Sequence, residues 1–131
     1  MLGIDTNVPV RFLLRDNEAQ FQRARKLLKR ETSRGQPIFI SQLVLLETEW
    51  VLRSRYGTTK AEIAAAMSAL LESREVQFEN ESSVEEAVFV WQDSSADFAD
   101  CLINAHHRAC GCQATATFDT QALRLVGFVA V

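Results

Sequence analysis

The chain has 131 residues, 47% of them hydrophobic, with a formal charge of −3 and a pI near 5.4. That length and composition suit one globular domain over 1–131 with a sizeable core, and the acidic balance argues against nucleic-acid binding through overall basicity. The longest apolar stretches are broken by charges such as Glu47 and Glu49, and the N-terminus has neither the basic region nor the cleavage site of a signal peptide. The expected location is therefore cytoplasmic, with no membrane span.

In chain order, "MLGI" reads as a short buried strand, and "VPVRFLL" opens a helix that tolerates Pro9 in its first turn. Asp16 is placed to cap a second helix, along which Phe21, Ala24, Leu27 and Leu28 recur at helical spacing until Ser33 to Gly35 ends it. "PIFIS" is a second strand. "SQLVLLETEWVLRSRYG" is helical with Gly57 as its stop, and Thr59 with Glu62 forms a capping box for "KAEIAAAMSALLES".

"VQF" is a third strand, and Ser83 with Glu86 predicts a second capping box before "AVFVWQ". "ADFADCLINAHHRACG" is helical, "ATATF" is a fourth strand, "TQALRL" a short helix and "FVAV" an edge strand. Helices between most successive strands predict an α/β fold, with a parallel sheet covered on both faces.

Ligands of such sheets bind beyond the carboxyl ends of the strands. Asp5 follows "LGI" and Asp119 follows "TATF", so both fall at that rim, though either alone also reads as a helix cap. Glu47 shares a helical face with Leu43, Leu46, Trp50 and Val51, which predicts an acid among core residues that needs a basic partner or a metal. Glu49, with Arg53 four residues on, reads as a solvated ion pair.

In "DFADCLIN", Asp97, Asp100 and Asn104 form one stripe, while Phe98, Leu102, Ala105 and Ala109 form another that faces the sheet. The helix dipole alone accounts for Asp97, whereas Asp100 is better explained by metal ligation. If Asp5, Glu47, Asp100 and Asp119 converge, their repulsion is relieved by a hard divalent cation such as Mg²⁺ or Mn²⁺, and the implied chemistry is phosphodiester hydrolysis. There is no Walker loop, GxGxxG motif or serine nucleophile elbow.

Cys101, Cys110 and Cys112 are odd in number and read as reduced thiols. His106, His107, Cys110 and Cys112 match no standard zinc spacing, and His107 reads as a surface residue. Arg11 and Arg15 follow Asp5, and a run of basic residues including Lys26 lies on the next helix. These are the candidates for contact with a phosphodiester backbone, set against the plainer reading of a solvated face.

Four stretches, "DTN" at 5–7, "SQLVLLETEWVL" at 41–52, "ADFADCLINA" at 96–105 and "TATFD" at 115–119, occur in the order found in PIN-domain nucleases. The chain resembles that family nearly end to end, and within it the VapC-type toxins of toxin–antitoxin pairs. The resemblance implies a PIN-like three-layer α/β/α sandwich with a central, mostly parallel sheet, and a Mg²⁺-dependent ribonuclease site. It carries the four family acids onto Asp5, Glu47, Asp100 and Asp119, and places Asp97 at the metal's periphery. Thr6, Asn7, Ser41 and Thr117 match small polar positions that orient carboxylates or water. It also implies a cognate antitoxin protein and a homodimer. A nuclease of RNA maturation or of DNA, and a partner-binding module without catalysis, are the competing readings.

Overall fold

The computed structural model describes residues 1–131, which divide into two compact units, Met1–Glu79 and Asn80–Val131. The N-terminal unit contains β1 (Leu2–Gly3), α1 (Asn7–Leu14), α2 (Glu18–Ser33), β2 (Ile38–Ile40), α3 (Gln42–Tyr56), α4 (Lys60–Glu72) and β3 (Val76–Phe78). Its strands pair in parallel in the order β1-β2-β3, with Leu2 opposite Ile38 and Ile38 opposite Val76. Parallel neighbours need a long crossover, and each here carries two helices, as the alternation of patterns predicts. Ile38, Ile40 and Phe78 of the sheet are buried, as are Val10, Leu45, Leu52, Ile63 and Met67 of the helices.

Local chemistry sets most of the helix ends. Ser41 caps α3 by accepting from the Val44 amide at 3.2 Å, and Thr59 and Glu62 make the reciprocal capping box that opens α4. The cap of α2 is Asn17 and not Asp16: Asn17 Oδ1 accepts from the Gln20 amide at 3.1 Å, while Asp16 forms an ion pair with Arg11. Either residue type caps a helix, and the competing guanidinium decides between them.

The pattern of α3 is also corrected. Leu45, Thr48, Glu49 and Leu52 form its buried face, whereas Leu43, Glu47 and Trp50 are exposed. Glu49, only 3% exposed, is the acid in the interior and is held by Arg53 Nε at 2.8 Å. Apolar residues occupy both faces of this helix, so periodicity does not select the buried one.

The C-terminal unit contains α5 (Glu81–Gln92), α6 (Phe98–Ala109), β4 (Thr115–Thr117), a single 3-10 turn at Ala122–Arg124 where a short helix was expected, and β5 (Phe128–Ala130). Helices α5 and α6 pack together through buried Val84, Ala87, Val88, Phe98, Leu102 and Ala105, with Trp91 edge-on to Phe98 at 5.1 Å. Ala109, expected on that face, is exposed at the helix end. Asn80 caps α5 from a left-handed conformation by accepting from the Ser83 amide. Ser83 is thus inside the helix and buried, and Glu86 pairs with Arg108, so no Ser83–Glu86 box forms.

Strands β4 and β5 are parallel, with Thr115 opposite Phe128, so the fold is α/β with parallel pairing throughout. The short return from β4 to β5 is clamped by Asn104, whose Nδ2 donates to the Val126 carbonyl at 2.8 Å. The next residue, Gly127, has φ +103°, and a Cβ there would lie 2.7 Å from Asn104 Oδ1. Only glycine satisfies both conditions.

Candidate metal centre

The start of α6 supplies two acids. Asp97 occupies the N-cap position in an extended conformation, yet its side chain makes no capping bond, so its carboxylate is not committed to the helix. Asp100, in the first turn, has Oδ2 buried with no hydrogen-bond partner. A third acid, Asp119, follows β4. Its Oδ1 accepts from the Gln121 amide at 2.8 Å and the Ala122 amide at 3.4 Å, and its own amide donates to Thr117 Oγ1 at 3.0 Å. These bonds hold the turn and leave Asp119 Oδ2 for another partner.

One oxygen from each of Asp97, Asp100 and Asp119 lies within 4.8 Å of the other two. Burial pushes the Asp100 carboxyl above its usual range, the charges of Asp119 and Asp97 push it further, and a hydrogen bond from the Asp97 amide opposes them. A carboxylate oxygen that is buried, unpartnered and surrounded by like charge lacks a positive group.

Asp5 and Glu47 belong to the N-terminal unit. Asp5 lies between β1 and α1 and is exposed, with Oδ1 accepting from the Thr6 amide at 2.8 Å. Glu47 is exposed on α3. Thr6 is buried at the N-cap position of α1 without a side-chain cap bond, Asn7 is the exposed first residue of that helix, and Ser41 Oγ serves as the α3 cap.

The sequence model of the PIN domain matches residues 3–128. The chain belongs to the PIN-domain family. No curated protein matches it. PIN domains are generally metal-dependent nucleases, so this chain has a nuclease-type fold, which supports hydrolase chemistry with a divalent metal.

The acidic group of this PIN domain fits such an ion: three hard oxygen donors, one of them an orphaned buried atom, are what a small divalent cation requires. The basic residues of the PIN domain differ from one another. Arg11 is engaged by Asp16, Gln20 and the Tyr56 hydroxyl, and Arg15 by Glu18 and the face of Phe21. Lys26 is exposed and lines a groove of about 560 Å³ between α1 and α2. No helix of the chain is long and apolar enough to cross a membrane.

Sequence reading missed the residues that hold the acids in place. Gln121 fixes Asp119 through its backbone and takes a hydrogen bond from Ser95 at 2.8 Å through its side chain, and Asn104 clamps the β4–β5 return. The signal for the first was present, because Asp119 followed by Thr and Gln is a turn in which an aspartate accepts from an amide two residues on. Nothing in the sequence marked Asn104 as a clamp instead of a member of the acidic stripe.

Proposed function

We propose that this PIN domain is an endoribonuclease dependent on Mg²⁺ or Mn²⁺, and that it acts as the toxin of a toxin–antitoxin pair. The observation that carries the nuclease reading is the buried, unpartnered Oδ2 of Asp100, within reach of Asp97 and Asp119. In this reading Asp5, Glu47, Asp100 and Asp119 are the catalytic carboxylates, and Asp97 supports them at the metal. When bound by the group of Asp97, Asp100 and Asp119, the cation would offset their repulsion, lower the pKa of water and offset the charge that develops on the phosphate.

The chain's own residues do the positioning. Asp100 is fixed by α6, and Asp119 by the amides of Gln121 and Ala122 and the hydroxyl of Thr117. In this reading Thr6, whose amide donates to Asp5 Oδ1 at 2.8 Å, and Asn7 and Ser41 orient Asp5, Glu47 or bound water. Lys26, Arg11 and Arg15 offer positive charge to the RNA backbone. We assign the whole of 1–131 to one PIN unit that dimerises, acts in the cytoplasm and is silenced by a cognate antitoxin. The four family stretches, in their order along the chain, support the toxin assignment.

The test is cleavage of total cellular RNA by partner-free protein in Mg²⁺, beside Asp100→Asn and a chelator control. Discrete fragments that vanish in both controls are expected. Equal cutting by folded wild type and Asp100→Asn would remove the ribonuclease assignment, and cutting of DNA alone would replace it.

A further inference from the structure

Beside the acidic group stands an aromatic ring that metal chemistry does not use. Phe118 directly precedes Asp119 and is 85% exposed, more than any other aromatic side chain of the protein. It takes no part in the ring contacts of Phe12 with Phe21 and Trp91 with Phe98, nor in the guanidinium contacts at Phe21 and Trp50. Single exposed apolar residues are ordinary on a protein surface, so exposure alone decides nothing. Phe118 is set apart by where it is held and how firmly.

Its backbone is fixed on both sides. Before it, Thr117 pairs with Ala130 in the β4–β5 ladder, and the Thr117 carbonyl accepts from the Val131 amide at 3.3 Å. After it, the Asp119 amide donates to Thr117 Oγ1 at 3.0 Å, a bond that closes the backbone around Phe118, and Asp119 Oδ1 accepts from the Gln121 amide at 2.8 Å. The bonds that fix the Asp119 carboxylate therefore fix the root of the ring as well. Consecutive Cα atoms are about 3.8 Å apart, which roots the ring within one nucleotide's reach of the oxygens that Asp119, Asp97 and Asp100 bring together.

The surrounding chain offers little else to a nucleic acid. From Cys110 to Val131 the only basic residue is Arg124, and the three acids repel phosphate. The face of a base is uncharged, and it stacks on an aromatic ring whatever the base. We infer that Phe118 is a substrate-positioning residue, on whose ring an unpaired base beside the scissile phosphate stacks. The inference rests on the nuclease reading for the place of that phosphate. Bases inside a duplex are already stacked on their neighbours, so only an unpaired base can use the ring.

The test is the binding of a labelled single-stranded oligoribonucleotide in Mg²⁺, read by anisotropy in the Asp100→Asn background, where cleavage is not expected. Adding Phe118→Ala should weaken binding by about five- to 150-fold, with unchanged circular dichroism and an unchanged slope of log affinity against log salt. Phe118→Trp should bind as Phe118 does. Phe118→Leu, apolar but without a π-face, should bind as weakly as Phe118→Ala, and a blunt duplex should not distinguish the variants. Failure of the Asp100→Asn chain to bind the strand, binding unaffected by Phe118→Ala, equal binding by Phe118→Leu and Phe118→Trp, or an equal loss on the duplex would overturn the inference. So would a change of sedimentation coefficient in Phe118→Ala with strand affinity intact, which would assign the ring to a protein interface. Cleavage by the chain with Asp100 intact is assayed separately, so the nuclease reading and the role of Phe118 can each fail without the other.

Discussion

Asp119 holds a carboxylate oxygen within 4.8 Å of one from Asp100, although the two residues come from a turn after a strand and from the first turn of a helix. Burial and then the charges of Asp119 and Asp97 raise the Asp100 carboxyl above its ordinary 3.8. A carboxyl raised in the folded state binds its proton more readily there than in the unfolded chain. Metal-free stability therefore falls as pH rises through the interval between the unfolded and folded values, and the cost is fully present above it. Asp100→Asn should raise the melting temperature of the metal-free chain at neutral pH, because it removes the charge that burial and the neighbouring carboxylates oppose. The difference should shrink on acidification through the carboxylate range. Scanning calorimetry in chelator checks both, and a melting temperature lowered at neutral pH would contradict the account.

Adding Mg²⁺ or Mn²⁺ should reverse the order. Wild type gains stability in proportion to the logarithm of metal concentration above its dissociation constant, about 2.7 kcal/mol at a hundredfold excess. Asp100→Asn, having lost a charged ligand, should gain much less. Paired melting curves with and without metal would show whether the variant responds equally.

At the β4–β5 return, Gly127→Ala meets two obstacles: φ +103° and a contact of 2.7 Å to Asn104 Oδ1. Denaturant titration should show a loss of about 1–3 kcal/mol. Adding Asn104→Ala should relieve the contact but not the backbone strain, so the double variant should lose less than the sum of the single losses.

The two acids of α3 should behave oppositely. Arg53→Ala leaves the Glu49 carboxylate buried without its guanidinium and should cost about 1–3 kcal/mol. Glu47→Gln, at an exposed position, should stay within about 0.5 kcal/mol of wild type while abolishing metal-dependent cleavage. Denaturation and nuclease assays on the same preparations separate the two effects.

Lys26 and Arg11 separate RNA contact from structure. Lys26→Ala should leave the melting temperature unchanged and lower the slope of log affinity against log salt by about 1. Arg11→Ala removes the partner of Asp16, Gln20 and Tyr56, and should lower the melting temperature as well as any RNA affinity. Unchanged salt dependence for Lys26→Ala would take this residue out of the RNA surface.

The amino-acid sequence by itself determined the features that depend on near neighbours. Short apolar runs between helical patterns specify strands that must pair in parallel, and Ser41, Gly57 and the Thr59–Glu62 box define helix ends because each acts within five residues of itself. The order of the carboxylate-bearing stretches was likewise legible, and with it the family. Tertiary structure alone decided which acid of α3 is buried, since Leu43 and Trp50 match the helical period as well as Leu45 and Leu52 do. It also turned Asn104 into a clamp, which depends on a return of the chain that begins beyond the end of α6, and it left Asp100 Oδ2 buried without a partner. Hydrogen bonding and desolvation at a side chain are set by whatever packs against it, and periodicity along one helix carries no information about that.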